Sequence, residues 1–195
     1  MTQSFSYKEK VILDVNSNFH HIAGDDLLNP QSSVLFKEYR KKWKEWPETF
    51  YVGEFPLFID MEVTNNCIYK CTFCATSYFG QEIKRGFVEE AIVKRVIDEG
   101  AEKGLYGIKF NDRGEPLMHK QLFEFVSYAK KKGLIDVYFN TNGYLMNEET
   151  CRKIIDTGLD RISISVEGMN SEQYEKYRIG GDFGTVLNNI HILLN

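Results

Sequence analysis

The sequence predicts an α/β fold: a parallel sheet backed by helices and curved into part of a (β/α) barrel, preceded by a helical N-terminal extension. Three observations predict it. Strand patterns and helix patterns alternate four times between Leu57 and Leu194, and such alternation implies parallel strands joined by right-handed crossovers. Several strand patterns carry one apolar and one polar face. A cluster of three cysteines follows directly on the first strand, at the end of a parallel sheet where ligands bind.

Residues 1–55 are polar and irregular and form the extension. Within them Phe36, Tyr39, Trp43 and Trp46 fall near helical spacing in a basic segment, Lys37 to Trp46, which predicts an amphipathic helix ended by Pro47. A basic, aromatic helix could face nucleic acid. The favoured reading is a helix whose aromatic stripe packs on the domain, since basic faces are usually just solvated.

The core, residues 56–195, begins at Pro56. Leu57–Val63 alternates and reads as a strand. Val88–Lys103 places Val88, Ala91, Ile92 and Val96 on one helical face. Gly107–Asn111 reads as a strand, and His119–Lys132 as a helix with Leu122, Phe125, Val126 and Ala129 together. Asp136–Thr141 is a strand. Asn147 is an N-cap followed by Glu148 and Glu149, opening a helix that Gly158 stops. Arg161–Val166 alternates strictly, and Val186, Leu187, Ile190 and Leu194 mark a last helix.

In a filled barrel both strand faces tend to be apolar. Here Asp60 and Glu62 share a face, as do Lys109 and Asn111, and Ser163 and Ser165 lie opposite Ile162, Ile164 and Val166. The apolar faces are therefore expected against the helices, and the polar faces around a wet interior.

Composition sets the outer bounds. At 195 residues, 43% of them hydrophobic, the chain can bury one full core. A net charge of −4 argues against a nucleic-acid footprint over the whole surface. The first residues contain no apolar secretory segment, and no apolar run approaches the roughly 20 residues of a membrane span, so a cytoplasmic protein is expected.

Of four cysteines, Cys67, Cys71 and Cys74 stand in a C-x3-C-x2-C spacing and Cys151 lies far away. Without an export signal they read as metal ligands rather than disulfides. Three thiolates on a [4Fe–4S] cubane leave one iron open for a ligand. A structural zinc site would need a fourth ligand, from Cys151, His20, His21, His119 or His191; a closed four-cysteine cluster would need Cys151. Cys151 falls beside Ile154 and Ile155 and reads as a small core residue.

From Pro56 to Asn195 these residues resemble the radical S-adenosylmethionine (SAM) superfamily, whose motif is C-x3-C-x-aromatic-C after the first strand. The resemblance implies a [4Fe–4S] cluster on Cys67, Cys71 and Cys74, with SAM on the open iron. Arg113-Gly114-Glu115-Pro116 is similar to the family's Gly-Gly-Glu-Pro, which holds the methionyl amino group, and departs from it at Arg113. Phe73 takes the aromatic position near the adenine. Thr141, in Thr-Asn-Gly after the third strand, is implied near SAM or substrate. Ser165 matches a serine that hydrogen-bonds SAM, while Glu167 stands where an aspartate is usual. Tyr177-Arg178-Ile179-Gly180-Gly181 with Phe183 resembles subfamilies carrying a SPASM or twitch extension, which act on peptides, sugars and other small molecules.

The resemblance further implies that the reduced cluster cleaves SAM to methionine and a 5′-deoxyadenosyl radical, which abstracts hydrogen from a peptide, sugar or other small-molecule substrate. An electron donor such as flavodoxin or ferredoxin is implied as a partner; membrane and nucleic acid are not. The family core has about six strand–helix units and this chain shows four, so an incomplete radical SAM core is expected, inactive by itself. The alternative from another class is an iron–sulfur or zinc protein that carries electrons or acts as a scaffold without catalysing.

Overall fold

Four strands, β1 (Phe58–Asp60), β2 (Gly107–Lys109), β3 (Asp136–Thr141) and β4 (Arg161–Ile164), form one parallel sheet in sequential order. The structure is a computed structural model; it describes residues 34–79 and 84–195, together with two short strands, Ile12–Leu13 and His20–His21, that pair antiparallel. Helices α1 (Val34–Thr49), α2 (Ala75–Phe79), α3 (Glu90–Glu102), α4 (Leu122–Lys131), α5 (Glu148–Asp156), α6 (Ser171–Tyr177) and α7 (Phe183–Leu194) surround the sheet. Sequential strand order with a helix in each crossover is the growth rule of a (β/α) barrel. Among the described residues no helix is long and apolar enough to cross a membrane.

Side-chain alternation divides the sheet as the strand patterns predict. Ile108, Phe110, Val137 and Phe139 have no exposed surface and pack against Val93 and Ile97 of α3, Leu122, Phe125 and Val126 of α4, and Ile154 of α5. The other face is polar. Asp60, Lys109, Tyr138 and Arg161 stand in register across all four strands. Lys109 pairs with Asp60 at 2.9 Å, and Arg161 grips the buried Asp136 through two bonds of 2.8 and 3.0 Å while lying over the Tyr138 ring.

The strands are shorter than their patterns, for local reasons. Met61 still donates to the Lys109 carbonyl (2.8 Å), after which the chain leaves the sheet for the cysteine loop. Asn111 leaves the ladder because its side-chain Oδ1, not a backbone carbonyl, accepts from the Asn140 N–H (2.8 Å). Asn147 caps α5 by accepting from Thr150 N–H (2.9 Å), and Gly158 follows that helix at φ +71°, a conformation glycine adopts without strain. Two short helices, α2 and α6, have no counterpart in the sequence reading. For α6 a signal exists: Asn170 accepts from Gln173 N–H at 3.0 Å, a recognisable N-cap.

α1 covers the amino-terminal end of the polar face. Tyr39 is fully buried, stacks on Tyr106 and donates its hydroxyl to Asp136 (3.3 Å), while Trp43 meets Phe58 edge-on. This is the packing helix favoured over a nucleic-acid surface. Pro47 does not end it: the helix runs to Thr49 and stops at Phe50, at φ +54°. A proline in the last turn forfeits one hydrogen bond there but leaves the preceding turns intact.

Tyr39→Ala is expected to lower folding stability by about 3 kcal/mol, as for other large-to-small changes in a core, and Tyr39→Phe by about 1 kcal/mol, the worth of one hydrogen bond. Urea denaturation followed by circular dichroism separates the two; equal losses would remove the Asp136 contact from this account.

Candidate functional site

The carboxyl ends of the four strands open into a cavity of about 320 Å³, and the loops around it are tied to one another. After β1 the chain passes through Val63, fully buried, to Thr64, whose hydroxyl donates to the Gly86 carbonyl (2.7 Å) and accepts from the Asn66 N–H (3.1 Å). Asn65 Oδ1 accepts from the Gly86 N–H (2.9 Å). These bonds fix the entry to the cysteine loop. Its far side is fixed by two backbone bonds, Lys70 N–H to the Ile179 carbonyl and Thr72 N–H to the Tyr177 carbonyl, both 2.9 Å. That pairing sets Cys71 opposite Arg178. Tyr69 and Tyr174, both buried, pack behind it with their hydroxyls 3.3 Å apart.

The loop after β2 locks onto the first loop through Gly114. Its φ is +73°, and a Cβ there would stand 2.3 Å from the Thr64 carbonyl oxygen and 2.8 Å from that of Asn66. Only glycine fits such a left-handed, close approach. The next residue continues the seam: Glu115 N–H donates to the Asn66 carbonyl at 2.7 Å.

Glu115 itself is 2% exposed. Its carboxylate accepts from the Thr141 hydroxyl (2.7 Å), the Asn142 N–H (2.8 Å) and the Leu117 N–H (3.2 Å). Burial pushes this carboxyl above the ordinary carboxylate range, against the pull of those three donors, because an unpaired charge is costly away from water. Thr141, also 2% exposed, spends its hydroxyl on Glu115 and so acts on the cavity through that carboxylate.

Cys67, Cys71, Phe73, Cys74, Gly114, Glu115, Thr141 and Ser165 all line this one cavity. The three thiols surround it without converging on one point: among the described residues no three Cys, His, Asp or Glu side chains group closely enough to hold a single ion. Burial pushes the Cys67 and Cys71 thiols up, and the Arg178 guanidinium draws Cys71 the other way. Cys74 lies 2.9 Å from the Thr76 hydroxyl. Ser165 is held by its N–H donating to the Thr141 carbonyl (2.9 Å).

The candidates for a fourth metal ligand stand elsewhere. Cys151 is buried in the main core, with its thiol 3.4 Å from the Met146 carbonyl. His119 has both ring nitrogens engaged, Nδ1 accepting from the Gln121 N–H (3.1 Å) and Nε2 3.2 Å from the Val88 carbonyl. His191 sits on α7 away from the cavity lining. The side chains of His20 and His21 lie outside the described residues.

Sequence reading missed several lining residues. Asn140 is one of them; it shares the polar strand face with Asn111, which the strand pattern did place toward the interior, and could have been found from it. Asn142 could not: 5% exposed, its Oδ1 accepts from the Tyr144 N–H (3.0 Å) while Nδ2 has no partner. A buried donor left without an acceptor is uncommon, and this one belongs to the cavity wall. Arg178 is 8% exposed; it pairs with Glu167, donates to Cys71 Sγ at 3.8 Å and lies over the Phe73 ring. Arg113, at the position where its motif departs from glycine, borders the cavity and clasps Glu62 with Nε (2.8 Å) and Nη2 (3.3 Å). A larger groove of about 720 Å³ between α1 and residues 50–58 is lined by Trp43, Trp46, Phe50 and Phe58; it brings no convergent titratable groups together and is not the site.

Gly114→Ala is expected to lower unfolding free energy by about 3 kcal/mol or more, from left-handed strain added to displacement of the Thr64 and Asn66 carbonyls. A denaturation midpoint unchanged from wild type would show that the two loops are not seated through this residue.

Residues 61–195 match the model of the Radical SAM superfamily. The probable GTP 3′,8-cyclase of Methanococcus maripaludis is 32% identical over 126 residues, which is 65% of this chain and 41% of that protein. The Fe-coproporphyrin III synthase of Methanosarcina barkeri is 33% identical over 165 residues, 84% of this chain and 40% of that protein. The chain thus spans about two fifths of the length of these relatives. Among solved structures, native anSMEcpe with bound AdoMet superposes with a TM-score of 0.60 at 21% identity, covering 71% of this chain and 41% of that one. Methylornithine synthase (PylB) gives 0.57 at 19%, covering 88% and 49%. Those likenesses extend to the fold, the same partial barrel of parallel strands. The family match, over most of the chain's length, makes it a member of the radical SAM superfamily.

Proposed function

We propose that this chain provides the cofactor end of a radical SAM enzyme, with a [4Fe–4S] cluster on Cys67, Cys71 and Cys74 and SAM between that cluster and the loops bearing Gly114, Glu115 and Ser165. The observation that carries the reading is the convergence of all these residues on one cavity, with Thr141 from the third strand beside them, so that four successive strand–helix units contribute to its lining.

The residues present fit both groups. Three thiols without a fourth donor suit a cubane with one open iron. Glu115 uses three of about four lone-pair positions on protein donors, leaving one toward the cavity for an ammonium group. A cation there would offset the burial that raises its carboxyl. The unpartnered Nδ2 of Asn142 suits an acceptor on the same ligand, and the half-exposed ring of Phe73 offers an adenine a stacking face. When bound, the cluster and SAM supply one-electron reductive cleavage of the sulfonium and hydrogen abstraction from a substrate. The protein's own part is to seat the ligand's polar groups on Glu115, Asn142 and Ser165 and to wall off water with Tyr69, Tyr174 and the Gly114 seam.

The substrate is a small molecule or a peptide, and a flavodoxin- or ferredoxin-type protein supplies the electron. Supporting this breadth, the related PqqA peptide cyclase of Rhodopseudomonas palustris (34% identical over 141 residues) is named for a peptide, and the relatives above for small molecules. The complete enzyme carries further strand–helix units beyond the four described, as the greater length of the relatives suggests.

Full-length protein, reconstituted anaerobically with iron and sulfide and then given dithionite and SAM, is expected to release 5′-deoxyadenosine. A loaded cluster that yields none would overturn the enzyme reading in favour of an iron–sulfur carrier. Cys67→Ala is expected to lose most of its iron, and wild-type iron content in that variant would sink the ligand assignment.

A further inference from the structure

Arg178 is a buried cation on the cavity wall to which the proposed function assigns no task. It caps the carboxyl end of α6, its N–H donating to the Tyr174 carbonyl at 2.9 Å. The two backbone bonds on either side of it, at Tyr177 and Ile179, deliver its side chain to the middle of the cysteine loop. There the guanidinium makes three contacts: Nη1 donates to Cys71 Sγ at 3.8 Å, the Cζ atom lies 5.4 Å from the centre of the Phe73 ring, and Nε is bound to the Glu167 carboxylate. Glu167 is the more exposed partner, with 45% of its side-chain surface open against 9% for Arg178. The cation is thus the inner member of the pair and the anion the outer one.

We infer that Arg178 is a positioning residue that sets the reduction potential of the cluster through its hydrogen bond to Cys71, with Glu167 holding it in place and moderating its charge. The inference rests on the cluster reading above. Three thiolates on a [4Fe–4S] core in its 2+ state give a site of net charge −1, and one added electron makes it −2. A fixed positive charge beside a ligating sulfur favours the more negative state, and both site charge and hydrogen bonds to sulfur set such potentials. Arginine suits the role because its guanidinium stays charged when buried. A carboxylate on the far side of the cation acts in the opposite sense, more weakly because it is farther out and more solvated. If the pair were only a clamp between α6 and the cysteine loop, the two residues would contribute alike. As a tuning pair they contribute with opposite signs.

The test uses full-length wild type, R178Q, R178K and E167Q, each reconstituted anaerobically, with iron and sulfide counted. The midpoint of the [4Fe–4S]2+/1+ step is then read by EPR as dithionite supplies the electron, without SAM. At the wild-type midpoint R178Q is expected to show an about tenfold lower ratio of reduced to oxidised cluster, which is about 59 mV for a one-electron couple. E167Q is expected to move the other way, and R178K, which keeps the charge but not the forked geometry, to fall between wild type and R178Q. Loaded R178Q and E167Q clusters with unshifted midpoints, or midpoints shifted in the same direction, overturn the inference. So does failure of both variants to take up iron that wild type takes up, which makes the pair a structural clamp. Failure of wild type itself to load is a different outcome, and overturns the cluster assignment from which the inference starts.

Discussion

The buried carboxylate of Glu115 is the contact on which the carboxyl end of the sheet depends. It is reached by donors from the end of β3 and from its own short helical turn, while its backbone is tied to the cysteine loop at Asn66. Three loops that alternation alone would leave independent are therefore held by one residue. A buried carboxyl is costly unless it is satisfied, and that cost explains why Gly114 is needed beside it. The close approach of Gly114 to Thr64 and Asn66 brings Glu115 deep enough for all of its partners to reach it.

The same polar strand face serves two purposes at its two ends. Toward the amino ends it is closed by ion pairs and rings: Asp136 with Arg161, Tyr138 with Phe58, and the aromatic stripe of α1 laid across them. Toward the carboxyl ends it stays open, and Asn111, Asn140 and Ser165 border the cavity. Stability and chemistry are thus separated along the strand axis, as barrels commonly arrange them.

Much of this was legible in the sequence because it rests on short-range periodicity. The alternation in Asp136–Thr141 gave that strand its observed limits, and the spacing of Phe36, Tyr39, Trp43 and Trp46 marked the aromatic side of α1, on which Tyr39 is the buried residue. The cysteine spacing, the glycine of Arg-Gly-Glu-Pro and the serine after β4 could be placed at loop ends because each follows a strand. What escaped reading depends on distant partners. Asn111 ends β2 early by replacing a backbone acceptor of β3. Arg113 turns to Glu62, 51 residues away. Arg178 reaches Cys71 only because two loops 107 residues apart pair their backbones. No local pattern announces such pairings; they appear only once the loops are in place.

That last pairing also bears on the order in which the molecule is made. The cysteine loop is synthesised early and the segment that seats it late. At about 5–20 residues per second the three thiols leave the ribosome seconds ahead of Arg178 and the carbonyls of Tyr177 and Ile179 that complete their surroundings. Until α6 arrives, Cys71 has neither its cation nor its cover.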